Sequence, residues 1–253
     1  MSVDYNKLCS IKDGVKYDTV YCSSSVSSSL AELGTIEKDA SGRLGKFSKE
    51  EFRGKRIFNI LSNKTFNTVL DIGAGKLEAT TEFIKSGKTV DICEFEDSYY
   101  LNSSDFDRSK VGNIYIGDFN TVDIPEEYDA IWAAHVLEHQ LNPNVFLTKL
   151  HSLLKEGGYL AVVVPPRKPF IVGGHVSIWN GGLLLYHLIL AGFDCSEAQL
   201  LQYDYNIGVV VKKKTISPSP KINYDLGDID ILKKYFPIEV CEGFNGDIMS
   251  VNI

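Results

Sequence analysis

The chain has 253 residues, 44% of them hydrophobic and 23% charged, with a formal net charge of −7 at pH 7. That length can bury the full core of one α/β domain with additions, and the composition is ordinary for a globular protein. The acidic balance argues against the basic surface that nucleic-acid binding requires, and no apolar run is long enough to span a bilayer.

The first residues, Met1-Ser2-Val3-Asp4-Tyr5, form neither a basic n-region nor an apolar h-region. The five cysteines, Cys9, Cys22, Cys93, Cys195 and Cys241, contain no CxxC pair and suggest no disulfide framework. A cytoplasmic protein is expected. From Met1 to about Asn63 there is no sheet-forming pattern. Ser23 to Ser29 is a low-complexity loop, and Ser29 with Glu32 and Ser48 with Glu51 have capping-box spacing. The second box opens a helix with Phe52, Ile57, Phe58, Ile60 and Leu61 as its apolar positions.

Val69-Leu70-Asp71-Ile72-Gly73-Ala74-Gly75 organises the rest. Val69 and Leu70 end a buried strand, Asp71 stands where it stops, and Gly73 and Gly75 supply a tight turn that a ligand can approach closely. A helix follows from Lys76 to Lys85. Strand, glycine turn and helix form the first unit of a nucleotide-binding α/β sheet. A dinucleotide fingerprint needs a third glycine, and Glu78 stands in its place. Together with Asp71, that acid repels a diphosphate and favours a ligand carrying positive charge.

Further along, Lys88 to Glu94 alternates as a strand, with Glu94 at its end and Glu96 just beyond. Asn113 to Phe119 reads as a third strand closed by Asp118, and Tyr128 to Ala134 as a fourth. His135-Val136-Leu137-Glu138-His139 follows directly. Asn142 and Pro143 begin a helix faced by Val145, Phe146, Leu150, Leu153 and Leu154, and Gly157-Gly158 ends it. Tyr159 to Val164 is a buried strand stopped by Pro165-Pro166. Arg167 to Asn180 is then a long loop at the carboxyl end of that strand, carrying two cations, a histidine and a tryptophan. Asn180 caps an apolar helix ended by Gly192, and Leu200 to Tyr205 pairs with Ile207 to Lys212 as a hairpin.

Asp71, Gly73 and Gly75 resemble the first motif, [DE]-x-G-x-G-x-G, of the class I S-adenosylmethionine-dependent methyltransferases, with Leu77 in place of the last glycine. The HVLEH string and the Leu-Lys-x-Gly-Gly turn at Leu154 to Gly158 continue the resemblance, which runs from about Phe66 to Lys213. It implies a seven-stranded, mostly parallel Rossmann-like sheet with helices on both faces. The expected divisions are an N-terminal helical lid over residues 1–63, the cofactor-binding core over 64–214 and an extension over 215–253.

The resemblance also assigns roles. S-adenosylmethionine, leaving as S-adenosylhomocysteine, would be held by Asp71, Gly73 and Gly75, by Glu94 (or Glu96) on the ribose, and by Asp118 on the adenine amino group. Phe119 would pack on the ring, and Ala134 would border the cofactor at the end of the fourth strand. His135 and His139 are four residues apart, yet Glu138 occupies the wrong position for the zinc-binding HExxH pattern, so no metal is expected. His139 or His135 is instead the natural base. For the acceptor, Tyr21-Cys22-Ser23-Ser24 is similar to phosphoethanolamine N-methyltransferases, in which a tyrosine and a histidine cooperate, here Tyr21 and His139. Arg167, Lys168 or Arg43 would hold the phosphate, with Tyr17, His175 and Trp179 lining the acceptor site. The alternative acceptor is a sugar or sugar nucleotide, O-methylated in surface-polysaccharide synthesis. A non-catalytic cofactor-binding protein is a third reading, suggested by Leu77. A small-molecule acceptor is expected, with neither nucleic acid nor membrane as partner, and oligomeric state stays open.

Overall fold

The computed structural model describes residues 36–38, 44–46, 52–96, 98, 107–168 and 171–253. Two short strands, β1 (Ile36–Lys38) and β2 (Leu44–Lys46), pair antiparallel in a segment where no strand was expected. Three-residue strands are too short for a period-two pattern to register.

The main sheet contains β3 (Thr68–Ile72), β4 (Thr89–Glu94), β5 (Ile114–Ile116), β6 (Tyr128–Ala134), β7 (Leu154–Val164), β8 (Gln199–Tyr203), β9 (Asn206–Lys212) and β10 (Ser250–Val251). Its order is β10-β8-β9-β7-β6-β3-β4-β5. The strands from β5 to β7 run parallel, whereas β9, β8 and β10 add antiparallel partners. The sheet therefore has eight strands rather than seven. The extra strand, β10, is two residues long and extends the edge left open by β8.

Helices α1 (Lys55–Ser62) and α2 (Glu78–Lys85) belong to one core cluster, and α3 (Pro143–Leu153) and α4 (Gly181–Leu190) to the other. Alternate residues of the central strands serve the two faces. Trp132 and Val163 join Phe58 and Phe83 on one side, while Ile131 and Val162 join Phe146 and Leu188 on the other. Burial on both faces explains why β6 and β7 read as nearly continuous apolar runs. A Cβ on Gly208 of β9 would meet Ile57 Cγ1 at 2.1 Å, so α1 reaches the strand only because that position is glycine. The last residues, including α5 (Asp228–Leu232), fold back on the same core. Leu232, Phe236, Val240 and Ile248 are buried in the α3/α4 cluster.

Chain order reverses between β3 and β6. The crevice outside the carboxyl ends of these strands is the topological switch point, where ligands bind in open α/β sheets. The glycine turn leaves β3 there, and the HVLEH segment leaves β6 beside it.

Candidate functional site

At the end of β3 the chain turns through Gly73 (φ +66°) and Gly75 (φ +53°), a left-handed conformation that glycine adopts without strain. A Cβ on Gly73 would meet Val136 Cγ2 at 2.4 Å, so this glycine also lets the turn close against the segment after β6. Leu77 sits at φ +62°. It keeps the left-handed backbone that the missing glycine would have supplied, while its side chain is fully buried beneath α2.

Two acids stand under this turn. Glu94 Oε2 accepts from Gly75 N at 2.9 Å, and its Oε1 accepts from Phe95 N at 3.0 Å. Each carboxylate oxygen has a second lone pair, so the group can still receive a pair of hydroxyls. Asp71 is 2% exposed and accepts from Thr80 Oγ1 at 2.5 Å, tying the strand end to α2. Burial pushes its carboxyl up to about 7, the Glu94 charge adds to the rise, and the Thr80 bond opposes it. Glu96 is exposed at the strand's far end.

The other cofactor candidates divide. Asp118 is exposed and accepts from Asn120 N at 2.9 Å, forming a turn beyond β5. Asn120 Nδ2 also donates to Gln140 Oε1 at 2.9 Å, linking this turn to the segment after β6. Asn120 carries no motif signature and escapes sequence reasoning. Phe119 corrects an expectation: it is 5% exposed and packs edge-on against Phe146, in the core rather than on a cofactor ring. An aromatic after the third strand reads equally well as core or platform, and Phe146 decides between them. Ala134 is half-buried at the end of β6.

The HVLEH segment forms a left-handed residue, His135 (φ +56°), followed by a 3-10 turn, Leu137–His139. His135 Nδ1 lies 3.2 Å from Glu138 Oε1, and its Nε2 lies 2.9 Å from Asn206 Oδ1. With both ring nitrogens engaged, His135 has no lone pair to offer an acceptor. Its Nδ1 contact is with the carboxylate of Glu138, which has no exposed surface. His139 differs: its Nδ1 is 2.7 Å from the Gly174 carbonyl, and its side chain is 43% exposed. A carbonyl only accepts, so Nδ1 carries the hydrogen and Nε2 of the neutral ring presents the lone pair.

The long loop is pinned over this turn. Val176 N donates to Glu138 O at 2.9 Å, and Arg167 N donates to Trp179 O at 2.9 Å, closing the loop at its base. These bonds bring His175 edge-on to His139, with ring centroids 4.9 Å apart. Burial holds the His175 imidazole below its usual value, and Glu138 works against that shift. Donor atoms of Glu138, His139 and His175 lie within 4.8 Å of one another, although the HVLEH spacing gave no reason to expect a metal. Trp179 is a second correction: it is 2% exposed, and its Nε1 donates to Ser177 Oγ at 3.0 Å, so it closes the loop rather than lining an acceptor site. Arg167 is exposed, and Lys168 Nζ lies 3.8 Å from the Tyr205 ring centroid. Arg53 approaches the same ring at 5.9 Å, and that ring stacks on His135. Arg53 and Tyr205 were not foreseen, because only the fold places residues 53, 168 and 205 together. Tyr17, Tyr21 and Arg43 lie outside the described residues.

Residues 44–200 match the model of a methyltransferase-domain family. A comparison with curated protein sequences gives no match. Among solved structures, the Burkholderia thailandensis 1,6-didemethyltoxoflavin-N1-methyltransferase, crystallised with S-adenosylhomocysteine, aligns with a TM-score of 0.55 at 17% identity over 65% of this chain and 80% of its own. Human N-acetylserotonin methyltransferase, in complex with S-adenosylmethionine, aligns with a TM-score of 0.54 at 18% identity over 64% of this chain and 52% of its own. The methyltransferase solved with the Haloferax volcanii Trm112 activator gives 0.52 at 13% identity, over 68% and 90%. At such identities these likenesses speak for the fold alone, whereas the family match spans more than half of the chain. With the glycine turn of β3, its acids and the strand order in agreement, the chain belongs to the methyltransferase-domain family and is a class I S-adenosylmethionine-dependent methyltransferase.

Proposed function

We propose that this enzyme methylates a hydroxyl of a small phosphorylated acceptor, with a sugar nucleotide as the best-fitting class. The observation that carries the reading is His139. Its Nδ1–H is committed to Gly174 O, its Nε2 lone pair is available, and the Glu138 carboxylate stands 3.9 Å from Nε2. A hydroxyl must lose its proton as it attacks, and a positioned base of this kind contributes roughly 10²–10⁴-fold. His139 Nε2 takes that proton, and Glu138 stabilises the imidazolium. The acceptor oxygen forms its bond to the sulfonium methyl as the S–CH3 bond breaks, its electron pair returning to sulfur. Holding both reactants in line supplies much of the remaining acceleration.

Lys168 and Arg53 around Tyr205 favour an anionic group on the acceptor, and a sugar nucleotide combines phosphate with hydroxyls. The cofactor assignments, namely Gly73 and Gly75 at the turn, Glu94 on the ribose and Asp118 near the base, form part of the same proposal. Phosphoethanolamine also carries a phosphate, which keeps N-methylation as a second reading. The ammonium it brings to the cations at Arg53 and Lys168 counts against it.

Incubation with methyl-labelled S-adenosylmethionine and a panel of sugar nucleotides, free sugars and phosphorylated amines separates these readings. Label should enter an oxygen of the sugar nucleotides. Label on nitrogen alone would transfer the assignment to the amine, and label in no member of the panel would refute both.

A further inference from the structure

Glu138 is fully buried, yet among the described residues its Oε2 has no hydrogen-bond partner. An isolated buried carboxylate oxygen is costly, and native proteins keep one where another group completes the site. The second oxygen presents a related problem. Glu138 Oε1 and His139 Nε2 face each other at 3.9 Å, and with the His139 hydrogen on Nδ1 both atoms present lone pairs. Two lone pairs converging at that distance repel unless a positive charge, a proton on Nε2 or a metal ion, lies between them. A third donor is at hand, because His175 offers a ring nitrogen in the same group, all within 4.8 Å.

We propose that Glu138, His139 and His175 form a binding site for a divalent transition metal, zinc being the ion whose preferences best fit two imidazoles and one carboxylate. Bonds of about 2.0–2.2 Å in a tetrahedral arrangement set ligand atoms about 3.3 Å apart, so binding draws the donors closer together. His175 stands on a loop and can supply that movement. The supporting contacts are in place. Gly174 O fixes the tautomer of His139, and His135 Nδ1 orients the carboxylate at 3.2 Å. Three protein ligands leave a fourth position open, as catalytic zinc sites do.

This inference rests on the hydroxyl-acceptor reading and reassigns its base, His139 taking the proton only in the metal-free enzyme. With the metal bound, the His139 lone pair belongs to the ion and the acceptor oxygen becomes the fourth ligand. The hydroxyl proton then leaves to solvent instead of to His139. The oxygen retains a lone pair for the sulfonium methyl, whereas an amine bound to the metal retains none. The site therefore selects oxygen acceptors.

The test uses the full chain, stripped with a chelator and then titrated with Co2+ by visible absorption and with Zn2+ by calorimetry. One equivalent should bind, with the intense visible band of four-coordinate cobalt. His175→Ala should weaken binding by at least about tenfold. Glu138→Gln should do the same, and Cys241→Ser, which removes an exposed thiol, should change nothing. His175 lies on a loop, so its variant keeps the test valid if the buried Glu138 variant fails to fold. No bound metal, or binding that both variants leave intact, would overturn the site. Transfer of labelled methyl to the sugar-nucleotide panel by the same samples reports on the underlying reading: label on oxygen without metal binding sinks this inference alone, and metal binding without label on oxygen sinks the hydroxyl-acceptor reading and the ion's role in it.

Discussion

His135 and His139 belong to one string and do different work, which substitutions can separate. Replacing His139 by alanine removes the available Nε2 and should lower kcat by about 10²–10⁴-fold. It should leave S-adenosylmethionine affinity within about twofold by calorimetry, because no cofactor contact is assigned to it. Replacing His135 by alanine leaves Glu138 Oε1 buried without its partner at 3.2 Å, a kind of loss that costs about 1–3 kcal/mol. The expected outcome is a lower Tm for His135→Ala and an unchanged Tm for His139→Ala; equal loss of stability in both would refute the division of roles. Asp71 carries a second residue-scale consequence. Its folded carboxyl titrates near 7, above the unfolded value of 3.8, so the folded state holds the proton more tightly. The sign follows: the group's contribution is fully present below about pH 4 and is lost as pH rises to about 7. Asp71→Asn, which cannot ionise, should flatten that decline in urea denaturation curves measured across the window.

At the scale of elements, Leu77 shows how a departure from a motif can keep the motif's shape. The residue at the start of α2 must be left-handed, and a side chain there costs on the order of 1–2 kcal/mol. Burying the leucine contributes roughly 1.5–3 kcal/mol, which offsets the strain. Replacing Leu77 by alanine loses the burial and keeps the strain, whereas replacing it by glycine loses the burial and relieves the strain. Leu77→Gly should therefore be at least as stable as Leu77→Ala, the reverse of the usual order inside elements, and chemical denaturation of the two variants decides it. The loop from Arg167 to Trp179 is likewise held by specific bonds. Its backbone ties to Glu138 and its closure at Trp179 place His175 beside His139, which a freely moving loop could not do.

Across the whole molecule, the last residues are part of the fold. A Cβ on Gly182 of α4 would meet Gly246 Cα at 2.6 Å, Asn180 Nδ2 donates to Asn245 O at 3.0 Å, and Tyr186 stacks on Phe236. Deleting residues 221–253 would expose the surface covered by Leu232, Phe236, Val240 and Ile248. At roughly 1.5–3 kcal/mol for each side chain, that loss rivals the roughly 5–15 kcal/mol by which a domain is stable. The truncated chain should be insoluble or lack a cooperative thermal transition, and a folded, soluble product would show the segment to be dispensable. No helix among the described residues is long and apolar enough to cross a membrane.

Local chemistry alone determined the strand-turn-helix at Asp71, the buried runs of β6 and β7 and the Asn180 cap. Each depends on neighbours in sequence: apolar period, glycine at a left-handed turn, a side-chain oxygen three residues before an N–H. The edge strand β10, the inward turn of Phe119 and Trp179, and the meeting of Glu138 with His175 belong to tertiary structure. An edge strand is defined by the partner it pairs with, and an aromatic side chain takes whichever face offers another ring. Two imidazoles and a carboxylate become one site only when β6 and the loop after β7 end at the same edge of the sheet, a distance in space that no spacing along the chain encodes.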